Sequence, residues 1–226
     1  MGPERIIEQL SQLNGQLQSL EQALAARDTE LERARTELTE ARSLVNTQHA
    51  ALLAANAQLA ALATLDGLTG VKNRRAFDER LQEELQRFAR HRQALSLLLL
   101  DVDQFKPYND AYGHLAGDDV LRALGRVLQA EARSTDFVAR YGGEEFAVIL
   151  PNTDVGDARR AAERLRRAIA AGPWPDRPVT ASIGVTTVVA GATDAASLIG
   201  AADQALYHSK SAGRNCATHF LDIRAG

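Results

Sequence analysis

A seven-residue repeat in the first sixty or so residues constrains this chain most. Leucine or valine returns at Leu10, Leu17, Leu24, Leu31, Leu38, Val45, Leu52 and Leu59. A second column follows at Leu13, Leu20, Arg27, Ala34, Ala41, Gln48, Ala55 and Leu62. Spacing of three and then four residues is the seam pattern of a coiled coil. No proline occurs between Pro3 and Pro107 to break it. A helix from about Ile6 to Thr64 would be roughly 85–90 Å long. A rod of that length cannot bury its stripe against one small domain. A strict repeat sustained this far implies a left-handed supercoil with a partner. The second column is weak in its middle, where Arg27 and Gln48 are polar and three alanines are small. A single amphipathic helix lying on a neighbour therefore stays open as the alternative. A parallel dimer is the preferred reading, because a polar seam residue can fix register at some cost in stability. Residues 1–64 are read as a coiled-coil dimerisation helix and residues 65–226 as a second domain.

The net charge of −3 argues against a sequence-independent grip on nucleic acid, which needs a basic face. No apolar run reaches the length that spans a bilayer, and no signal peptide is visible, so the expected location is the cytoplasm. The single cysteine, Cys216, excludes an intrachain disulfide and reads as an inert thiol. Lysine is scarce. Only Lys72, Lys106 and Lys210 occur among 26 Lys and Arg residues. A compact ammonium differs from a guanidinium fork, so each is a candidate for a place where a point charge is wanted, with chance placement the better reading for any single one.

From Leu65 onward the pattern is α/β. Leu95 to Val102 is an apolar run that reads as a buried strand ending in acids. Val120 to Ala132 has helical spacing. Phe137 to Tyr141 and Phe146 to Leu150 read as a hairpin around Gly142-Gly143. Asp154 to Ala171 is a helix capped by Asp154. Gly172 to Pro178 is a stiff loop in which Trp174 plugs the core. Val179 to Val189 is a strand, Asp194 to Ser211 a helix ended by Gly213, and a short strand follows Asn215.

Asp101 stands at the end of the buried strand, and Glu144 and Glu145 stand at the hairpin turn. If these strands are neighbours, Asp101 and Glu144 face one cleft. Converging carboxylates suit Mg²⁺, which takes one or two of them together with phosphate oxygens. Two such ions can clamp the attacking and leaving oxygens of a phosphoryl transfer. The bland alternative is that acids at strand ends and turns are simply solvated. Lys106 lies five residues past Asp101, within reach of a polyphosphate. Asn109 and Asp118 can pair to read a base edge, a combination that suits guanine. Read alone, this segment is also consistent with a turn-rich loop with helix caps.

Five blocks in order give the chain a more specific likeness: Asp66 to Arg75, Asp101 to Asp118, Arg140 to Phe146, Ala181 to Val185, and Ala202 to Asn215. From Leu65 to about Phe220 the sequence resembles the GGDEF domain of diguanylate cyclases, in a GGEEF variant. The resemblance implies an α+β domain with a mostly antiparallel central sheet flanked by helices, similar to nucleotidyl cyclase and polymerase palm domains. It implies an enzyme that joins two GTP molecules into cyclic di-GMP. Asp101, the backbone carbonyl of Val102 and Glu144 would bind Mg²⁺ or Mn²⁺, two ions per active site. Glu144 would also assist deprotonation of the ribose 3′-hydroxyl, with Glu145 in support. Asn109 and Asp118 would read guanine. The backbone near Phe105, with Lys106, Lys210 and Arg214, would hold the triphosphate, and Gly142 and Gly143 would give the turn and let substrate approach closely. Lys72 has no assigned ligand. Tyr108 and Cys216 depart from the family's usual aliphatic residues.

The same resemblance makes Arg133-Ser-Thr-Asp136, with Arg164, an RxxD site at which cyclic di-GMP inhibits. It makes the active form a homodimer carrying one GTP per subunit. The coiled coil is then expected to bring two half-sites together, and a longer parent with an upstream sensor is compatible with it. Three rivals remain at this stage. One is a silent domain that only binds cyclic di-GMP or GTP. Another is a coiled-coil interaction protein with a structural end. The third is a cyclase with relaxed base choice, against which Asp118 argues.

Overall fold

The protein is represented by a computed structural model that describes residues 3–62, 64–188 and 194–223. It has two compact units, Met1–Ala63 and Thr64–Gly226. The side chains of the seam positions Leu59 and Leu62, and the expected strand end at Val189, lie outside the described residues.

The first unit is one helix, α1, Pro3–Leu62. Its seam leucines from Leu10 to Leu38 are 52–73% exposed. An apolar stripe left in water along so long a helix is a surface still to be buried, at about 1.5–3 kcal/mol per leucine once covered. None of the described helices is long and apolar enough to cross a membrane.

The second unit is a mixed five-stranded sheet covered by helices on both faces. Strand β1 (Leu95–Val102) lies at its centre, flanked antiparallel by β3 (Glu145–Pro151) and β4 (Ala181–Val188). Strand β2 (Phe137–Gly142) pairs antiparallel with β3, and β5 (Ala217–His219) runs parallel to β4. The order across the sheet is β2-β3-β1-β4-β5. Alternation along β1 splits its side chains between two cores. Leu98, Leu100 and Val102 pack with α3 (Phe105–Tyr112), α4 (His114–Glu131) and α5 (Val155–Ala170). Leu95, Leu97 and Leu99 pack with α2 (Arg74–His91) and α6 (Ala195–Ser211). A strand buried on both faces reads as a continuous apolar run, which is why this one was legible.

Asp154 caps α5 by accepting from the Asp157 N–H at 2.8 Å, and Asp194 caps α6 by accepting from the Ser197 N–H at 2.7 Å. Trp174 packs against the core and donates its indole N–H to the Ile169 carbonyl at 2.8 Å. Three features were not expected. Helix α2 escaped notice because its buried stripe includes an acid: Glu84 is 5% exposed, held by Arg80 at 2.8 Å and Arg87 at 3.1 Å. The segment after Gln104 is two helices, α3 and α4, that meet at Gly113, whose φ of 86° lets the chain turn. Helix α4 therefore begins at His114 and not near Val120, which places Gly117 and Asp118 on it. A four-residue helix, α7 (Phe220–Ile223), follows β5.

Gly184 fixes the seat of α6. A Cβ there would lie 2.1 Å from the Ala202 carbonyl oxygen and 2.3 Å from the Leu206 nitrogen, both backbone atoms that cannot swing aside. Gly184→Ala is expected to destabilise the protein by about 3 kcal/mol through forced separation of α6 from the sheet. The check is the urea unfolding midpoint at unchanged m-value. A midpoint within error of the parent chain would refute the close-packing account.

Candidate active site

The site forms where the C-terminal end of β1 meets the β2–β3 turn. Asp101 lies opposite Glu145 on β3 and Ser182 on β4. One residue on, the Val102 N–H donates to the Glu144 carbonyl at 3.4 Å, so the strand end is tied to the turn itself. Gly143 holds that turn with φ of 46°. The Arg140 Nε donates to the Gly143 carbonyl at 2.9 Å, and the Arg140 Nη1 pairs with Asp66 at 3.2 Å. Asp66 in turn accepts from the Thr69 N–H and hydroxyl at 2.9 and 2.6 Å. Burial works against ionising Asp66, but the Thr69 bonds and the Arg140 charge outweigh it and hold the carboxyl below its usual range.

Alternation points Asp101 to the α6 face, and there Lys210 places its Nζ 2.7 Å from Asp101 Oδ2. Burial pushes the Asp101 carboxyl above the ordinary carboxylate range; Lys210 pulls it back, and the charges of Glu144 and Asp103 push it further up. Glu145 is raised as well, first by burial and then by Asp101. The strand end thus concentrates negative charge that a cation would relieve, and the Lys210 ammonium already does so in part. Among the described residues no three His, Cys, Asp or Glu side chains gather into a metal cage. The donors available are the Asp101 and Glu144 carboxylates and the Val102 carbonyl. That leaves the rest of a shell to water and phosphate oxygens, a set that fits Mg²⁺.

Helix α3 opens beside this cluster at Phe105, and Gln104 makes no side-chain capping bond there. A helix N-terminus left open in this way favours anions. Lys106 is exposed on its first turn. Val102, Gln104, Phe105, Arg177, Thr180 and Arg214 are among the residues lining a cavity of about 250 Å³. Arg214 has φ of 66°. Asn109 is half-buried on α3, and its Oδ1 is buried with no hydrogen-bond partner. That oxygen would lie 1.8 Å from a Cβ at Gly117, the residue before Asp118 on α4. Gly117 is thus the gap that admits the Asn109 amide, one residue before Asp118 on α4.

The expected inhibitory residues form a separate patch. The Asp136 Oδ2 accepts from the Arg133 N–H at 2.8 Å, which closes a tight turn at the end of α4. Arg164 on α5 reaches the same helix end, with its Nε 3.4 Å from Glu131 Oε2. This patch sits at the start of β2, and the Gly142 end of that strand lies about 17 Å further on. Lys72 forms backbone bridges with Leu65 and Ala139 and donates its Nζ to the Thr64 hydroxyl at 3.4 Å. Of the two departures from the family pattern, Tyr108 is buried and donates to Asp176 at 2.6 Å, and its hydroxyl pKa is pushed up to about 12 by burial and that carboxylate. Cys216 donates to the Ser209 carbonyl at 3.2 Å. Sequence reasoning passed over Asp103, Arg140 and Arg177. For Asp103 the signal was present in the alternation Asp101-Val102-Asp103. For Arg177, in an irregular loop, there was none.

The profile described as "Diguanylate cyclase, GGDEF domain" matches residues 63–216. Diguanylate cyclase DgcP of Pseudomonas aeruginosa is 46% identical over 159 residues, covering 68% of this chain and 23% of that protein. Diguanylate cyclase VdcA of Vibrio cholerae is 42% identical over 160 residues, covering 68% of this chain and 46% of that protein. This chain therefore spans less than half the length of either. A solved structure of the coiled coil and GGDEF domain of DgcB from Caulobacter crescentus, in complex with c-di-GMP, matches with a TM-score of 0.66 at 33% identity, covering 80% of this chain and 98% of that one. With the profile matched over most of its length and the five-stranded fold shared with solved members, the chain belongs to the GGDEF family of diguanylate cyclase domains.

Proposed function

We propose that this chain is a diguanylate cyclase that condenses two GTP molecules into cyclic di-GMP and two pyrophosphates. The observation that carries the reading is the junction at Val102, where the strand bearing Asp101 is bonded to the turn bearing Glu144. On α3, Asn109 holds a buried, unpartnered oxygen against Gly117, the residue before Asp118. Asn109 and Asp118 orient guanine through its donor edge. Lys106, Lys210, Arg214 and the N–H groups near Phe105 hold the triphosphate, and Gly142 and Gly143 leave room for it at the turn. Asp101, Glu144 and the Val102 carbonyl would hold Mg²⁺ or Mn²⁺, two ions per site, supplying charge neutralisation at the phosphates. Glu144 assists removal of the 3′-hydroxyl proton, and Glu145 supports the charge at the strand end.

Each 3′-oxygen attacks the α-phosphorus of the other GTP. A P–O bond forms at each α-phosphorus, the bond to the β-phosphate bridging oxygen breaks, and pyrophosphate leaves. Positioning and charge stabilisation supply most of the rate. One domain carries one GTP, so a homodimer is needed, and the uncovered leucine stripe of α1 is the surface that brings two copies together. The rod then regulates by setting whether the half-sites meet, with any sensor upstream acting through it. The Arg133, Asp136 and Arg164 patch takes cyclic di-GMP as an inhibitor, its arginine forks suiting phosphates and guanine edges.

The decisive measurement is mass identification of products after incubating the purified protein with GTP and Mg²⁺. Cyclic di-GMP is expected, and Glu144→Gln is expected to lower kcat by about 10²-fold or more. No cyclic dinucleotide under any condition would overturn the reading. A truncated chain starting near Leu62 is expected to lose most activity at low protein concentration and regain it as concentration rises; undiminished turnover would remove the rod from the mechanism. Arg133→Ala is expected to relieve inhibition by added cyclic di-GMP, read as a shift of the inhibition curve to higher product concentration.

A further inference from the structure

Asp103 is the second acid of the Asp101-Val102-Asp103 run, and its surroundings differ from those of Asp101. Its Oδ1 accepts from the Ser182 hydroxyl at 2.6 Å. Its Oδ2 accepts from the Thr180 hydroxyl at 2.7 Å and from the Asn215 N–H at 2.9 Å. Its own N–H donates to the Thr180 carbonyl at 2.9 Å. Three donors occupy this carboxylate, which leaves it a poor metal ligand. It instead stitches the end of β1 to the start of β4 and to the loop after α6.

That loop carries three successive residues at positive φ: Gly213 at 112°, Arg214 at 66° and Asn215 at 46°. Only the first is glycine; the Cβ of Arg214 disfavours that conformation, and Asn215 tolerates it better but still gains from being held. The loop therefore needs an external hold. Asn215 has two. Its N–H is taken by Asp103, and its Oδ1 accepts from Arg166 Nη1 at 2.7 Å. Arg166 is itself fixed by a fork on Glu163, both bonds being 2.8 Å. The Arg214 N–H donates to the Ser209 carbonyl at 3.1 Å, while its guanidinium makes no hydrogen bond or ion pair among the described residues. Arg214 is thus a free cation on a strained, pinned turn. It lines the cavity that also contains Phe105 and Asp103.

We infer that Asp103 is a positioning residue. It holds the left-handed turn at Arg214 and Asn215 so that Arg214 is aimed at the phosphate chain of a nucleoside triphosphate. This rests on the reading that the cavity beside α3 takes the triphosphate. Asp103 contributes nothing to base recognition, which lies at Asn109 and Asp118, and acts on the polyphosphate alone.

The test is a double-mutant cycle in the full chain with Mg²⁺ present. Binding is measured by calorimetry with 3′-deoxy-GTP, which lacks the attacking hydroxyl, and with GMP. Asp103→Ala is expected to weaken 3′-deoxy-GTP binding about tenfold, the worth of one charge-assisted hydrogen bond, with GMP binding changed less than twofold. In an Arg214→Ala background the same change is expected to cost nothing further. Asp103→Asn keeps the shape and one strong acceptor. It is expected to show the same pattern at about threefold, and it carries the cycle if the alanine variant does not fold. Equal losses for both ligands, no loss, or multiplicative losses with Arg214→Ala would overturn the inference. Product formation by the parent chain tests the cyclase reading separately. Triphosphate binding without a cyclic dinucleotide sinks that reading and leaves the cycle interpretable.

Discussion

Strand β1 is buried on both faces and hydrogen-bonded along both edges, and every part of the site depends on where it ends. Its period of two assigns Leu98, Leu100 and Val102 to one core and Leu95, Leu97 and Leu99 to the other. Asp101 then falls on the α6 side, and the chain leaves Val102 directly toward α3. A shift of one residue in register would exchange the two sets and bury the acid against α4. The two cores therefore specify the position of one carboxylate more tightly than any contact at the site does.

Around that carboxylate the protein tolerates an electrostatic conflict. Burial raises both Asp101 and Glu145; Glu144 and Asp103 push Asp101 further up, Asp101 pushes Glu145 up, and Lys210 offsets part of this. A chain selected for stability alone would have little reason to gather these groups at one strand end. A cation at the strand end would relieve that conflict. Arg140 has a complementary part. It spans from the Gly143 carbonyl to Asp66, so the turn and the first residues of the second unit are held by one guanidinium.

The sequence revealed the features that rest on a single period or a single residue type. The apolar run of β1, the Gly-Gly turn and the caps at Asp154 and Asp194 were visible there. The missing parts depend on partners distant in the chain. Glu84 reads as an exposed acid until Arg80 and Arg87 are placed around it. Asp103 reads as a twin of Asp101 until Thr180, Ser182 and Asn215 are brought to it. The two-helix path through Gly113 escaped notice because α3 is short, contains Pro107 and several polar residues, and so looks like a loop. The heptads of α1 announce a rod, but a repeat carries no record of what lies against it.

The scarcity of lysine has a consequence for handling the protein. The sixty residues of α1 carry none, and the three side-chain amines of the chain all lie beyond it. Lys106 is exposed at the opening of α3, and Lys210 is held against Asp101. Amine-directed labels, cross-linkers and surface-coupling reagents would therefore find their side-chain targets only in the second unit, with Lys106 at the helix opening where a triphosphate is expected. Immobilisation through Lys106 would obstruct that opening, whereas the side chains of α1 would remain unmarked.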